Sequence, residues 1–277
     1  MTGAAPLDRH VGTAASLRRV RAVLRRHGYL LLKSWTRIVS MMYYPTVTMI
    51  VWAFVTLYLA PTNNFLQDAP GFFIGAVLLW DVLFRGQLGV SLTFIEEFYA
   101  RNLANLFVSP LTLPEYIAGQ LAISVLRALI GVGGACVFAF LLFRFSIFSL
   151  GFPLIAFFAN LLVFGWAIGL AMSGMILRLG LGAEELAWAA IFVIAPISGV
   201  YYPVAVLPSW MQALAWGIPS THVFEGMRMV LLRGVFPWDH FWVAVALNVV
   251  YLALGAMVFA WAMHDARNRG TLLQMGE

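Results

Sequence analysis

The stretch that decides the fold is Ala195-Pro-Ile-Ser-Gly-Val-Tyr-Tyr-Pro-Val-Ala-Val-Leu-Pro-Ser-Trp210. It is strongly apolar but is interrupted by four helix-breaking residues: Pro196, Gly199, Pro203 and Pro208. An interior proline removes a backbone donor and clashes with the preceding turn, so the stretch cannot form one uninterrupted helix. Non-helical backbone at membrane depth persists only where protein or a water-filled cavity covers its polar groups. The stretch therefore indicates a transport function.

The composition places the chain in a membrane. Hydrophobic residues make up 62% of the 277 positions and charged residues only 10%, whereas soluble proteins carry about 25% charged residues. Runs of roughly 20 apolar residues, enough to cross ~30 Å of hydrocarbon, occur six times. These runs are residues 38–60, 72–94, 116–142, 150–177, 186–206 and 241–263. We therefore predict an all-α integral membrane protein with six transmembrane helices.

The remaining segments complete the predicted organisation. Residues 207–235 contain too many breaks for a seventh span, and we predict a re-entrant helical hairpin there, between spans 5 and 6. Residues 1–37 form a basic amphipathic arm, residues 38–263 the transmembrane domain, and residues 264–277 a tail. The lone Cys136 falls inside a predicted span and offers neither a disulfide nor a thiolate metal site.

Charge predicts the orientation. Residues 1–37 contain eight basic residues and one acid, a net charge of +7, while the other nine basic and eleven acidic residues sum to −2. The positive-inside bias puts the basic arm in the cytoplasm. Because six is an even number of spans, the tail with Arg267 and Arg269 returns to the same side, so both termini are predicted to be cytoplasmic.

The arm has helical periodicity over residues 16–31. One face carries Leu17, Val20, Leu24 and Leu31, and another carries Arg18, Arg21 and Arg25. This pattern is typical of an interfacial helix whose arginines meet anionic headgroups and whose leucines enter the acyl boundary. The alternatives are a simple topology anchor or a helix that also packs on a cytoplasmic partner. Nucleic acid is not an expected partner, because no folded domain presents the basic face.

The loop between the second and third spans, about residues 96–114, is the predicted contact with a cytoplasmic partner. Its apolar residues recur near helical spacing before two prolines: Phe98, Leu103, Leu106 and Phe107, then Pro110 and Pro114. We predict a short amphipathic helix that ends at these prolines. The residues expected to couple this loop to its partner are Glu96, Glu97, Arg101, Leu106 and Pro110.

Several catalytic motifs are absent from the sequence. A P-loop requires Gly-Lys before Ser or Thr, but the only lysine is Lys33, which follows Leu32. The sequence also lacks His-Glu-x-x-His and Gly-x-Ser-x-Gly, and its five histidines have no metal-ligand spacing. We therefore predict no enzyme, no metal and no cofactor in this chain. If ATP drives transport, a separate polypeptide must hydrolyse it.

The order of three segments resembles the membrane subunit of ATP-binding-cassette exporters of the type 2 permease family, which export polysaccharides, lipo-oligosaccharides and drugs. The first, Arg101-Asn-Leu-Ala-Asn-Leu-Phe-Val-Ser-Pro110-Leu-Thr-Leu-Pro, resembles the family's coupling region. The second, Pro196-Ile-Ser-Gly-Val-Tyr-Tyr-Pro203 with Leu207-Pro-Ser-Trp, resembles its signature before the re-entrant hairpin. The third, Pro219 with Glu225 and Arg228, resembles the end of that segment.

This resemblance implies a six-span half-transporter in a bacterial inner membrane. Two copies, expected to be a homodimer, would form the pathway. Two copies of a separate ATPase, carrying ATP and Mg²⁺, would dock on the coupling loop. The residues expected to form a gate in the outer half of the membrane are Pro196, Gly199, Tyr201, Tyr202, Pro203, Pro208, Trp210, Pro219, Glu225 and Arg228. The resemblance leaves the cargo open.

Three charges fall inside predicted spans: Asp81, Arg85 and Arg127. Asp81 and Arg85 are spaced i, i+4 and share a helix face, so each offsets part of the cost of burying the other. They serve either as structural pairs or in translocation. The pair Glu225 and Arg228 carries the same two interpretations.

Two other function classes stay open. An ATP-independent channel or secondary carrier would place more ionisable groups in mid-membrane than these three. A membrane-embedded transferase would need clustered catalytic carboxylates or histidines. The only paired acids are Glu96 with Glu97 and Glu184 with Glu185, and we expect both pairs to be solvated loop charges.

Overall fold

The computed structural model of the chain describes residues 12–59, 61, 71–100, 102, 103, 105 and 109–269, and of residues 149, 150 and 181 only the backbone. This part of the chain is 88% helical and contains no strand. Its helices are α1 (Thr13–Leu32), α2 (Trp35–Leu59), α3 (Phe72–Tyr99), α4 (Leu113–Phe143), α5 (Phe152–Leu179), α6 (Glu184–Ile194), α7 (Ser209–Trp216), α8 (Pro219–Arg233) and α9 (Trp238–Arg269).

Among the described residues, five helices are long and apolar enough to cross a membrane: α2, α3, α4, α5 and α9. They coincide with the predicted spans 1, 2, 3, 4 and 6. The prediction for residues 186–206 is wrong as one continuous helix, because α6 ends at Ile194 after 11 residues and short 3₁₀ turns follow. Pro196 lies in the first of these turns, and Gly199 has a φ of +68°, which favours glycine.

Helix α3 is the centre of the bundle. In its most apolar 18-residue stretch, 89% of the residues are buried within the chain. The corresponding share in α2 and in α9 is only 22%. It packs against α2, α4 and α5. Its polar residues are buried as well, and the Gln87 Nε2 donates a hydrogen bond of 2.8 Å to the carbonyl of Ala187. This bond attaches the short helix α6 to the central helix.

Small residues on α5 allow α3 to approach closely. A Cβ added at Gly165 would lie 2.7 Å from the carbonyl oxygen of Leu83, and one at Gly169 would lie 2.7 Å from that of Gln87. Side chains larger than hydrogen would therefore force the two helices apart. Gly165 and Gly169 thus form a small-residue contact within one subunit.

We predict that Gly165→Ala destabilises the helix bundle. The new methyl group would contact backbone atoms of α3, at 2.7 Å from the Leu83 oxygen and 2.8 Å from the Gln87 nitrogen. Backbone moves at a higher cost than a side chain, and overpacking of this kind costs about 1–3 kcal/mol. Thermal unfolding in detergent should show a lower Tm than the wild-type chain.

The matched control is Gly133→Ala in α4, because no atom lies within 4 Å of a Cβ built at Gly133. Alanine also favours a helix over glycine by about 1 kcal/mol. We expect this variant to unfold at or above the wild-type temperature. Equal losses of stability in both variants would contradict the close α3–α5 contact.

Candidate functional site

Two groups of charged side chains lie near the site residues predicted from the sequence. The first, here called the arm cluster, lies where α1 meets the end of α3 and the start of α4, and consists of Arg19, Arg26, His27, Glu97, Asn102 and Glu115. The second, here called the hairpin ion pair, consists of Glu225 and Arg228 on α8. The gate residues predicted from the sequence lie around the second group, and two of the predicted coupling residues lie in or beside the first.

Glu97 is the most enclosed carboxylate of the arm cluster, with 2% of its surface exposed. It pairs with Arg26 Nη1 at 2.7 Å and with His27 Nε2 at 3.2 Å, both on α1. Its other oxygen accepts a hydrogen bond of 2.7 Å from the Asn102 side chain in the loop. A buried carboxylate is tolerated only when charged or hydrogen-bonding groups surround it. Glu97 therefore ties the arm, the end of α3 and the loop together.

Glu115 makes the second contact between the arm and the bundle. Arg19 donates to its two oxygens at 2.6 and 2.9 Å, a bidentate arrangement that is stronger and more directional than a single bond. Hydrogen bonding to Glu115 raises the pKa of Arg19. The same carboxylate accepts the backbone N–H of Thr112 at 2.9 Å and so completes a capping box at the start of α4.

Glu96 joins α3 to two further helices. It pairs with Arg37 of α2 at 3.0 Å and with Arg127 of α4 at 3.1 Å. Arg127, which the sequence groups with the intramembrane charges, is therefore directed along α4 towards Glu96. Its side chain is 5% exposed, so this ion pair supplies the charge partner that burial demands.

The expectation that Glu96 and Glu97 are solvated loop charges is wrong. Helix α3 continues to Tyr99, five residues beyond the predicted span, and carries both acids within it. Glu97 is buried and Glu96 is only partly exposed. Two other predicted coupling residues, Arg101 and Leu106, lie outside the described residues. Pro110 is exposed at the surface of the loop.

The predicted Asp81–Arg85 pair is present on α3. Arg85 also donates a hydrogen bond to the backbone carbonyl of Met41 on α2. Gly131 of α4 makes room for the guanidinium group, because a Cβ there would lie 2.1 Å from Arg85 Nε. These contacts join α2, α3 and α4, and they support the structural interpretation of the pair.

The hairpin ion pair closes the loop that follows α6. Glu225 lies 2.9 Å from Arg228 and accepts the backbone N–H of Val204 at 2.7 Å. Arg228 donates to the carbonyl of Gly199 and lies over the ring of Phe72, 5.1 Å from its centroid. The pair thus holds the non-helical backbone against α8 and the start of α3. It supplies hydrogen-bond partners for the Val204 N–H and the Gly199 carbonyl, which have none within a helix.

The prolines of this region begin helical segments. Pro203 precedes the turn Val204–Val206, Pro208 caps α7, and Pro219 is the first residue of α8. At the start of a helix the missing N–H has no intrahelical acceptor, so proline costs little there. The predicted re-entrant segment is consequently two short helices, α7 and α8, joined at Gly217 and Ile218.

The aromatic gate residues occupy different environments. The Tyr201 ring stacks on Trp52 of α2, with centroids 4.4 Å apart. The Tyr202 hydroxyl donates to the carbonyl of Pro196 at 2.6 Å. Trp210 is 65% exposed. The first two therefore fix the loop, and the third presents its indole at the surface.

Sequence reasoning missed five members of the arm cluster: Arg19, Arg26, His27, Asn102 and Glu115. A signal was available, since Arg19, Val23 and Arg26 recur at spacings of four and three and so share a face of α1. Val23 packs where Gly119 of α4 has no side chain. The predicted outward arginines of the arm are exposed, as the periodicity indicates: Arg18, Arg21 and Arg25.

The model of the ABC-2 type transporter family matches residues 19–232 of the chain. The match starts within α1 and ends within α8, so it includes both the arm cluster and the hairpin ion pair. A comparison with curated proteins finds no match.

We predict that Glu97→Gln loosens the arm. The substitution keeps the shape of the side chain but removes the charge that faces Arg26 and His27, and hydrogen bonds to charged groups contribute about 1.5–3 kcal/mol. Local opening of α1 would then be more frequent, and trypsin should cleave at the arm arginines faster than in the wild-type chain. Limited proteolysis in detergent, followed by mass spectrometry, measures this rate.

Glu185→Gln is the matched control, because Glu185 is an exposed acid in the first turn of α6. Its removal should leave cleavage of the arm unchanged. If Glu97→Gln behaves like this control, Glu97 does not hold the arm.

Proposed function

From the membership of this chain in the ABC-2 type transporter family, we propose that two copies of it form the path of an ATP-driven exporter. The family makes the chain a membrane permease component of an ABC transporter. The second copy, a homodimer partner, and the outward direction of transport come from the family resemblance. The observation that carries the proposal is the family match over residues 19–232, which includes both charged groups of the candidate site.

The energy source in this proposal is a separate ABC ATPase. The family normally pairs with such a partner, and the sequence offers no P-loop lysine of its own. Two ATPase copies, each with ATP and Mg²⁺, would dock beneath the loop between α3 and α4. Arg101, Leu106 and Pro110 are the proposed contact residues, whereas Glu96 and Glu97 are assigned to internal ion pairs.

The proposed topology has six passages through a bacterial inner membrane. The five long helices supply five of them, and α6 with the turns after it supplies the remaining one. Both termini then lie in the cytoplasm, with α1 at the interface as a basic amphipathic helix. Helices α7 and α8 form the re-entrant hairpin in the outer half of the membrane.

The contacts of Glu97 support a route for this coupling. When ATP binding closes the ATPase dimer, its push on the loop would reach Asn102, whose side chain and backbone N–H both bond to Glu97. Glu97 would carry the displacement to α1 through Arg26 and His27. The arm and the end of α3 would thus move as one body, the rigid-body type of transition used by many transporters.

The hairpin is the proposed outer gate. The non-helical backbone from Gly199 to Val204 is held to α8 by two charged side chains, and a small rotation of α8 would displace it. The cargo class stays as broad as the family: a glycan, a glycolipid, a lipid or a drug-like molecule. An ATP-independent carrier or channel is the alternative, and the ion pairs of Asp81, Arg85 and Arg127 count against a mid-membrane ion path.

We expect an ABC ATPase to co-purify with the tagged chain from its native membranes in stoichiometric amounts. The purified pair should hydrolyse ATP, and the chain alone should not. Mass spectrometry of the purified complex and a phosphate-release assay measure both. Transport by the chain reconstituted alone would overturn the exporter and favour the carrier.

We predict that Arg228→Gln reduces ATP-dependent transport more than it reduces protein abundance. Gln keeps a polar group near the Gly199 carbonyl but removes the charge that pairs with Glu225, so the gate would lose its position while the long helices keep theirs. The expected loss of transport is roughly tenfold, equivalent to about 1.4 kcal/mol. Transport into inverted membrane vesicles, normalised to immunoblotted protein, tests it.

Arg233→Gln serves as the control on the same helix, since Arg233 is exposed in the last turn of α8. It should keep both abundance and transport. Parallel loss of transport and protein in Arg228→Gln would assign the hairpin ion pair to folding alone.

A further inference from the structure

Two histidines outside the groups described above face each other where the hairpin meets the last helix. His222 of α8 and His240 of α9 place their Nδ1 atoms 3.2 Å apart. The Trp216 ring, at the end of α7, covers both, with centroids 5.3 and 5.9 Å from the two imidazoles. His222 is 8% exposed and His240 is partly exposed.

The tautomer of His222 follows from its second contact. Its Nε2 lies 2.9 Å from the backbone carbonyl of Trp216. A carbonyl oxygen only accepts, so Nε2 carries the proton and donates it, and the neutral ring has its lone pair on Nδ1. The lone pair is therefore directed at His240.

The bond from His222 Nε2 to a backbone carbonyl is one that metal-binding histidines commonly make. A ligating imidazole commonly donates its other N–H to a backbone carbonyl, which fixes the ring orientation and the tautomer. Two imidazole nitrogens on one tetrahedral zinc, each about 2.0–2.1 Å from the metal, lie about 3.3 Å apart. The Nδ1 atoms here are 3.2 Å apart, so their spacing already suits a shared ion once His240 also places its proton on Nε2.

We propose that His222 and His240 form a binding site for one divalent transition-metal ion of the zinc class. Imidazole ligands suit Zn²⁺, Ni²⁺ and Cu²⁺ rather than Mg²⁺ or Ca²⁺. Within the described residues no group of three or more His, Cys, Asp or Glu side chains assembles, so water completes the coordination. Access is from the His240 side, because that ring is partly exposed.

The position of the site gives the ion a consequence. His222 lies on the hairpin helix α8 and His240 on the long helix α9, so one ion would crosslink the two. On the proposed function, this crosslink would hold the gate against the last transmembrane helix and inhibit transport. Binding itself does not depend on that function, and the two can fail separately.

The test uses the full-length chain purified in detergent through a tag without histidines. Isothermal titration with ZnCl₂ should give one site per chain, reversed by EDTA, and Zn²⁺ should raise the Tm, since a ligand that binds only the folded state stabilises it. His240→Gln should weaken Zn²⁺ binding by about tenfold or more. Even the substitution of a residue that only hydrogen-bonds to a metal ligand lowers metal affinity by about 10–100-fold. The shift in Tm should disappear with it.

His264→Gln is the control, because His264 also lies on α9 and bonds to Asn268. It should bind Zn²⁺ as the wild-type chain does. No saturable binding by the wild-type chain, or equal binding by His240→Gln, would overturn the site. Zn²⁺ binding without inhibition of transport would support the metal site and contradict only the proposal that the crosslink holds the gate.

Discussion

The structure depends on one constraint: a charge removed from water must meet an opposite charge or several hydrogen bonds. Helix α3 is the most buried of the long helices, yet it carries Asp81, Arg85, Glu96 and Glu97. Asp81 and Arg85 pair with each other. The two glutamates find their partners on α1, α2 and α4. The helices around α3 are therefore positioned by ion pairs as well as by apolar packing.

This constraint changes the view of the coupling loop. Acids next to this loop suggest a surface for a basic partner, but Glu96 and Glu97 form ion pairs with arginines of the same chain. Helix α1, predicted to be a membrane anchor, also packs on the bundle, because Arg19 and Arg26 pair with Glu115 and Glu97. If the proposed ATPase docks on this loop, a displacement of Asn102 would reach the arm through the hydrogen bonds and ion pairs of Glu97.

In the interrupted segment between α6 and α8, it is backbone polar groups rather than charges that need hydrogen-bond partners. Proline and glycine break the helix, and the carbonyl of Gly199 and the N–H of Val204, both in buried residues, must then find hydrogen-bond partners outside a helix. Arg228 and Glu225 do this from α8. Because these two side chains both lie on α8, a movement of α8 would move the segment with it, as the proposed gate requires.

The sequence by itself determined the membrane class, five long helices, the helical arm and the i, i+3 and i, i+4 ion pairs, because all of these follow from composition, local periodicity and proline chemistry. Only the tertiary structure decided the partners of Glu97, Glu96 and Arg127, since they lie on different helices and no local pattern encodes which faces meet. The length of the fifth predicted span was missed for a related reason. Hydropathy measures how apolar residues 186–206 are, but the course of the backbone beyond Ile194 depends on side chains of α8 that lie about 30 residues away in the sequence.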